Sequence, residues 1–297
     1  MKQSTNNVLM IKPVNFYYNQ ETAYDNQYQN KTDLTQDEIQ IKALNEFNNL
    51  VKVLENEGIN VNIFEDTTTP YTPDSIFPNN WFSTHDGTLI IYPMYAQNRQ
   101  KEVNKFKLKL IDLYNPIQVF DFTKYAINKE AYLEGTGAMV LDRVNKIAYS
   151  TLSQRAYKDL FEKVAKIIDY KPIYFVSHQL GKEIYHTNVL MSITSDFVII
   201  APNLIDEEYR NFIINELKKN HEIIELNEKQ ILNFAGNCLE LEGKNGKFLI
   251  MSKTAYNSLS DKQISKIEEK LKIINVDIST IENLGGGSVR CMIAELF

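Results

Sequence analysis

Cysteine is scarce in this chain of 297 residues. Only Cys238 and Cys291 occur. Two thiols cannot build a disulfide framework, and so low a count suits a reducing compartment. A basic surplus is also missing. There are 32 Lys and Arg against 38 Asp and Glu, a formal charge of -6. That balance excludes a broad nucleic-acid face and tight binding to anionic lipid. Long apolar runs are lacking. Phe197-Val-Ile-Ile-Ala201 is strand-sized, far short of the roughly 18 residues of a membrane span. The early stretch Val8-Leu-Met-Ile-Lys-Pro-Val-Asn-Phe16 is broken by Lys12 and Pro13, too soon for a secretory core. A soluble, cytoplasmic protein is expected. With 11 Gly and 8 Pro the chain is neither collagen-like nor linker-dominated. None of the four His stands at zinc-ligand spacing, so no metal is expected. Gly135-Thr-Gly137 lacks the Lys and the spacing of a phosphate loop.

What the chain does contain is a repeat. Five polar loops, rich in Gly or Asn, run into apolar strands at Phe77–Phe82, Leu133–Val140, His186–Met191, Phe234–Leu239 and Gly285–Met292. With Asn80, Gly137, Asn188, Asn237 and Arg290 as matched points, the steps are 57, 51, 49 and 53 residues. A second strand follows a turn after the first four: Thr88–Tyr92, Lys146–Tyr149, Phe197–Ile200 and Lys247–Met251. Asn245-Gly246 is the strongest hairpin turn among them. Helical periodicity then covers Gln36–Glu57, Gln154–Ile168, Asp206–Asn220 and Ser260–Leu271, with Asp206 and Ser260 as N-caps. Short apolar strands follow at Asn60–Phe64, Pro116–Phe120, Lys171–Phe175, His221–Leu226 and Lys272–Val276. Two strands per helix disfavour an open doubly wound sheet. The pattern predicts an α/β fold of five ββαβ units closing around an axis, a five-bladed α/β propeller. The whole chain, 1–297, then forms one catalytic domain.

Chemistry concentrates in the last loop. Gly285, Gly286 and Gly287 free the backbone for close approach to a ligand. Cys291 follows Arg290, where a thiolate is stabilised; the bland reading is an inert cysteine at the start of a strand. His186 heads its own strand and suits general acid and base work beside a thiol, or is a solvated loop residue. Glu134 sits in Leu-Glu-Gly-Thr-Gly, either projecting inward or merely turning the chain. His85 lies in a hairpin turn and reads as surface, while His178 and His221 show no partner. Cys238 reads as a small apolar core residue. The Tyr-, Asn- and Gln-rich segment from Asn15 to Lys31 reads as an ordered loop, and Tyr17–Gln29 within it as a lid or substrate contact.

Glu134-Gly135, His186-Thr-Asn188 and Gly285-Gly-Gly-Ser-Val-Arg-Cys291 stand in one order. In this the chain resembles the guanidino-group-modifying enzymes, also called penteins, over essentially Val8 to Phe297. The resemblance implies a five-fold α/β propeller. It implies Cys291 as nucleophile on a guanidino or ureido carbon and His186 as acid and base, a chemistry that requires no cofactor. Glu134 would accept hydrogen bonds from substrate nitrogens. Ser153-Gln-Arg155 resembles a motif whose Arg holds a substrate carboxylate; the alternative is a solvent-facing helix residue. Arg290 and the amides Asn80 and Asn188 complete the expected substrate contacts. Arginine deiminases of this superfamily carry Asp where Asn188 stands and in the motif that Asn79-Asn80-Trp81 occupies here, Asn80 matching it better than Asn79. Two amides in place of two carboxylates suit a neutral ureido group better than a guanidinium. Hydrolysis of citrulline to ornithine, ammonia and carbon dioxide is therefore the first expectation. Arginine deiminase, modified-arginine dihydrolase and amidinotransferase are the alternatives. A non-catalytic ribosome-binding member is remote, because Cys, His and Glu are all present and the charge is acidic. The expected partner is a small amino acid. No nucleic acid or membrane is expected, and a homo-oligomer is compatible with this reading.

Overall fold

Residues 2–297 are described by a computed structural model. Among the described residues, five three-stranded sheets share one topology. In the first, Phe82–His85 runs antiparallel to Thr88–Ile91. Gln118–Asp121 returns parallel to that central strand after the helix Gln97–Tyr114. Val140–Asp142, Ile147–Thr151 and Lys171–Phe175 repeat the arrangement around the helix Lys158–Ile167. Met191–Ile193, Phe197–Ile200 and Glu222–Glu225 do so around Glu207–Leu217. Leu239–Gly243, Gly246–Ser252 and Lys272–Val276 do so around Asp261–Glu268. The fifth sheet joins the two ends of the chain. Ala294–Glu295 pairs antiparallel with Asn7–Lys12, which pairs parallel with Asn60–Glu65 after the helix Gln36–Asn56. The result is an α/β fold of small mixed sheets, none of which closes on itself.

Parallel pairing demands a crossover, and each crossover helix covers one face of its sheet. The central strands are consequently buried on both faces. Val198, Ile199 and Ile200 are fully buried, as are Leu249, Ile250 and Met251. At about 1.5–3 kcal/mol for each buried aliphatic side chain, these strands anchor their units. Helix starts are set locally. Thr35 accepts from the Glu38 N–H while Glu38 accepts from the Thr35 N–H, a reciprocal cap. Ser260 and Gln263 repeat it. Asp206 stands at the N-cap position as expected, yet its carboxylate takes His178 Nδ1 at 2.8 Å instead of the helix. No helix of the described residues is long and apolar enough to cross a membrane.

Two helices depart from the sequence expectation. Gln97–Tyr114 escapes apolar periodicity because its buried face opens with Asn98, Arg99 and Glu102 before reaching Val103, Phe106 and Leu110. The helix expected from Gln154 begins at Lys158, since Ser153 and Ala156 are held in isolated bridges just before it. Three histidines are also corrected. His85 is buried, not superficial: it shares one face of its strand with Ser83, and the Ser83 hydroxyl lies 2.7 Å from its Nε2. His178 and His221 both have partners, the first in Asp206 and the second with its Nε2 lying 2.7 Å from Asp142 Oδ2.

Burial, with Arg143 adding, pushes His85 well below its ordinary 6.5. The folded chain keeps this imidazole neutral while the unfolded chain protonates it, so stability falls as pH drops below 6.5. The expected contribution is up to about 1.4 kcal/mol per pH unit. Urea unfolding at pH 7, 6 and 5 reads it: His85→Gln should flatten the slope by about one proton, and an unchanged slope refutes the assignment.

Candidate active site

The loops that enter the sheets are short helical turns: Pro78–Asn80, Gly135–Ala138, Thr187–Leu190 and Val289–Met292. Pro78–Asn80 contacts both Gly135–Ala138 and Val289–Met292, and Gly135–Ala138 contacts Thr187–Leu190. The repeat thus gathers residues some 50 positions apart at one centre.

Cys291 is buried there. Its Sγ receives Asn188 Nδ2 at 3.4 Å and Asn237 Nδ2 at 3.2 Å. Both amides stand at matched points of the repeat. Two N–H donors converging on one sulfur suit an anionic acceptor. Asn237 also donates to the Asn188 carbonyl at 3.0 Å, which locks the pair. Asn188 was expected at the site and Asn237 was not, although the repeat aligns it with the others.

His186 and Glu134 meet at 2.7 Å, Nε2 to Oε2, both buried. Glu134 Oε1 accepts from the Tyr95 N–H at 2.9 Å. Burial alone would raise the Glu134 carboxyl, but Arg155, His186 and Arg99 outweigh it and hold it well below the carboxylate range. Burial lowers His186, with Arg155 and Arg99 reinforcing it and Glu134 opposing. A neutral His186 beside an ionised Glu134 donates its Nε2–H and leaves the Nδ1 lone pair free for a proton. Gly137 makes room for this ring. A Cβ there would lie 2.2 Å from Asn80 Nδ2 and 2.9 Å from His186 Nδ1.

Asn80 is therefore beside His186. Its Oδ1 accepts from Arg99 Nη1 at 2.7 Å, and its Nδ2 is buried without a partner. Neighbouring Asn79 leaves both side-chain atoms unpaired and uses its carbonyl for Thr136. Arg155 is buried rather than solvent-facing. Its Nε donates to Asp25 Oδ2 at 2.7 Å, its Nη2 pairs with Asp25 Oδ1, and its Nη1 lies 3.5 Å from Glu134 Oε2. Tyr185 packs on the Arg155 guanidinium at 4.4 Å and on the His186 ring at 4.7 Å. Arg290 is not drawn into this set. Its guanidinium goes to Glu295 Oε2 and the Ile293 carbonyl, both at 2.9 Å. Cys238 is fully buried on Ser192, and burial pushes its thiol up to about 11. Among the described residues no group of three or more His, Cys, Asp or Glu is arranged to hold a metal ion.

The segment from Asn19 to Gln29 lies across this centre. Asn19 Nδ2 and Thr22 Oγ1 donate to Asp74, and Asn26 and Gln29 both donate to the Gly285 carbonyl at 3.2 Å. The triple glycine serves this packing rather than an open ligand surface. A Cβ on Gly286, whose φ is +62°, would strike the Asn26 amide at 2.5 Å, and one on Gly285 would strike Phe77 at 2.7 Å. A cleft of about 360 Å³ lined by Tyr24, Asp25, Ser153, Gln154 and Tyr185 opens beside the Asp25–Arg155 pair.

Comparison with known proteins adds the following. Residues 12–297 match the family described as N,N dimethylarginine dimethylhydrolase, eukaryotic. No curated protein matches the chain. The product-bound N-terminal domain of ArgZ, an arginine dihydrolase from the ornithine-ammonia cycle in cyanobacteria, superposes with a TM-score of 0.78 at 18% identity. The match covers 98% of this chain and 97% of that domain. Against the full ArgZ chain the TM-score is 0.79, and 40% of that longer protein is covered. The dimethylarginine dimethylhydrolase of Pseudomonas aeruginosa, solved with citrulline, gives 0.69 at 16% identity over 98% of this chain and 99% of the other. At such identities the likeness shows the fold.

Proposed function

The chain belongs to the N,N-dimethylarginine dimethylhydrolase family of guanidino-modifying enzymes, and from that premise we propose that it is a cysteine-dependent hydrolase whose preferred substrate carries a ureido group, citrulline first. The observation that carries the ureido reading is the state of Asn80. Arg99 occupies its Oδ1, so only its Nδ2–H is left to face a ligand. An N–H donor matches a carbonyl oxygen and opposes a guanidinium, which has no acceptor.

The chemistry runs through a covalent intermediate. Cys291, having passed its proton to the free Nδ1 of His186, adds as thiolate to the ureido carbon, and Asn80 donates to the oxygen that gains charge. The C–N bond to the departing amine breaks, and the amine takes a proton through His186. A thiocarbamate remains on Cys291. Water, deprotonated by His186, attacks it and releases the thiolate; the carbamate breaks to ammonia and carbon dioxide. Citrulline and one water thus give ornithine, ammonia and carbon dioxide. Glu134 holds His186 and offers an acceptor to substrate N–H. Arg155 holds the substrate carboxylate, which takes the place of Asp25. Arg290 acts at the edge, tying the nucleophile's turn to the last strand through Glu295.

The accompanying fold reading is a single five-bladed propeller over residues 1–297. Its support is the five sheets of equal topology, the shared sheet of the two chain ends and the turns that touch in sequence. One alternative substrate is favoured by an observation. The fold neighbour ArgZ is an arginine dihydrolase, and the second hydrolysis of arginine passes through a ureido group.

A panel of citrulline, arginine, methylated arginines and agmatine, with ornithine and ammonia measured, tests the proposal. Citrulline should give one ammonia per ornithine with the highest kcat/KM. Two ammonia per ornithine from arginine marks a dihydrolase, and accumulating citrulline marks a deiminase. Efficient arginine turnover with inert citrulline refutes the ureido reading.

A further inference from the structure

We propose that Glu102 is a positioning residue that sets the substrate preference of the site by fixing, through Arg99, which end of the Asn80 amide faces the ligand. Arg99 and Glu102 form a two-pronged buried pair: Nε to Oε1 at 2.8 Å and Nη2 to Oε2 at 3.1 Å. The same Nη2 reaches the Phe77 carbonyl at 2.9 Å, just before the Pro78–Asn80 turn, and Nη1 reaches Asn80 Oδ1 at 2.7 Å. A guanidinium has five donors and no acceptor. Asn80 can show it only Oδ1, and Nδ2 is thereby turned away, toward Gly137 and His186. Glu102 is fully buried, and both of its carboxyl oxygens are taken up by Arg99. Its influence passes through the plane of one guanidinium.

Glu102→Gln puts an amide N–H against a guanidinium N–H at one prong. The pair opens, the guanidinium turns, and Nη1 leaves Asn80. A released amide presents Oδ1 as readily as Nδ2. An inward Oδ1 opposes a ureido oxygen and attracts a guanidinium, so discrimination falls in a defined direction.

This inference rests on the ureido reading, and the test separates the two. In the Cys291→Ser background, where ligands are not consumed, calorimetry gives the Kd of citrulline and of arginine. Four proteins are compared: the parent, Glu102→Gln, Asn80→Ala and the double variant. The preference for citrulline over arginine should fall about tenfold in Glu102→Gln. With Asn80 already removed, Glu102→Gln should leave the preference unchanged. A merely structural role weakens both ligands alike, or acts equally with and without Asn80; either result overturns the proposal. A parent that prefers arginine refutes the ureido reading, while coupling between Glu102 and Asn80 is still read from the same cycle. A parent that binds neither ligand refutes both. Should Glu102→Gln fail to fold, Glu102→Asp keeps the carboxyl group with a shorter reach and enters the same cycle, with a smaller loss of preference expected.

Discussion

Cys291→Ser is expected to lower turnover by a factor on the order of 10⁴ or more while the chain stays folded. The size of the effect follows from what replaces what. Serine at this point is a hydroxyl whose anion is inaccessible near neutral pH, and no strong base lies within the described contacts of Sγ. Asn188 and Asn237 are placed to stabilise an anion, not to remove a proton. Stability should change little, by about 1 kcal/mol or less, because the serine oxygen accepts the same two amide donors. The companion is Cys238→Ser, which should leave kcat near its original value. A thiol reagent at neutral pH makes the contrast visible without substrate. Cys291 should label fast, and Cys238, enclosed with its thiol pushed up to about 11, should not. Substantial turnover by Cys291→Ser, or preferential labelling of Cys238, refutes the nucleophile assignment.

The repeat was legible because it rests on apolar strands and turn residues, whose periods survive in a single sequence. The chain also announced the meeting of Asn188 with Cys291, since matched loops of a repeat converge. Asn237 was equally legible by position and lacked only a chemical reason, which the sulfur supplies. The residues that shape the electrostatics were not legible. Arg99 and Glu102 stand three apart in a Lys- and Gln-rich stretch, where an opposite-charge pair reads as a solvated helix face. Only tertiary packing shows that this face is inside. The same burial concealed the helix itself, because a polar buried face erases the apolar stripe by which amphipathic helices are recognised. Asp25 lies in a Tyr- and Asn-rich loop without period, and nothing in the sequence ties it to Arg155, 130 positions on. The glycine run was read for its freedom toward a ligand. Its neighbours are instead Phe77 and Asn26, side chains that the sequence places far away.

Asn80→Asp is expected to turn the preference of the enzyme from a ureido toward a guanidino substrate. One oxygen of the new carboxylate stays on Arg99 Nη1, where Oδ1 accepts now. The other replaces Nδ2, so the atom beside His186 changes from donor to charged acceptor. For citrulline this removes one hydrogen bond and sets a carboxylate against a carbonyl. For arginine it supplies a charge-assisted contact to a buried cation. Each change carries about 1.5–3 kcal/mol, in opposite directions for the two substrates. The ratio of kcat/KM for citrulline to that for arginine should then fall by roughly 100-fold or more. Arg99 limits a competing outcome. Glu102 already holds its Nε and Nη2, so the new carboxylate cannot draw the whole guanidinium across without breaking that pair. Steady-state kinetics on both substrates with the wild type and this single variant decide the matter. An unchanged ratio, with both substrates slowed alike, would mean that Asn80 does not face the reacting group.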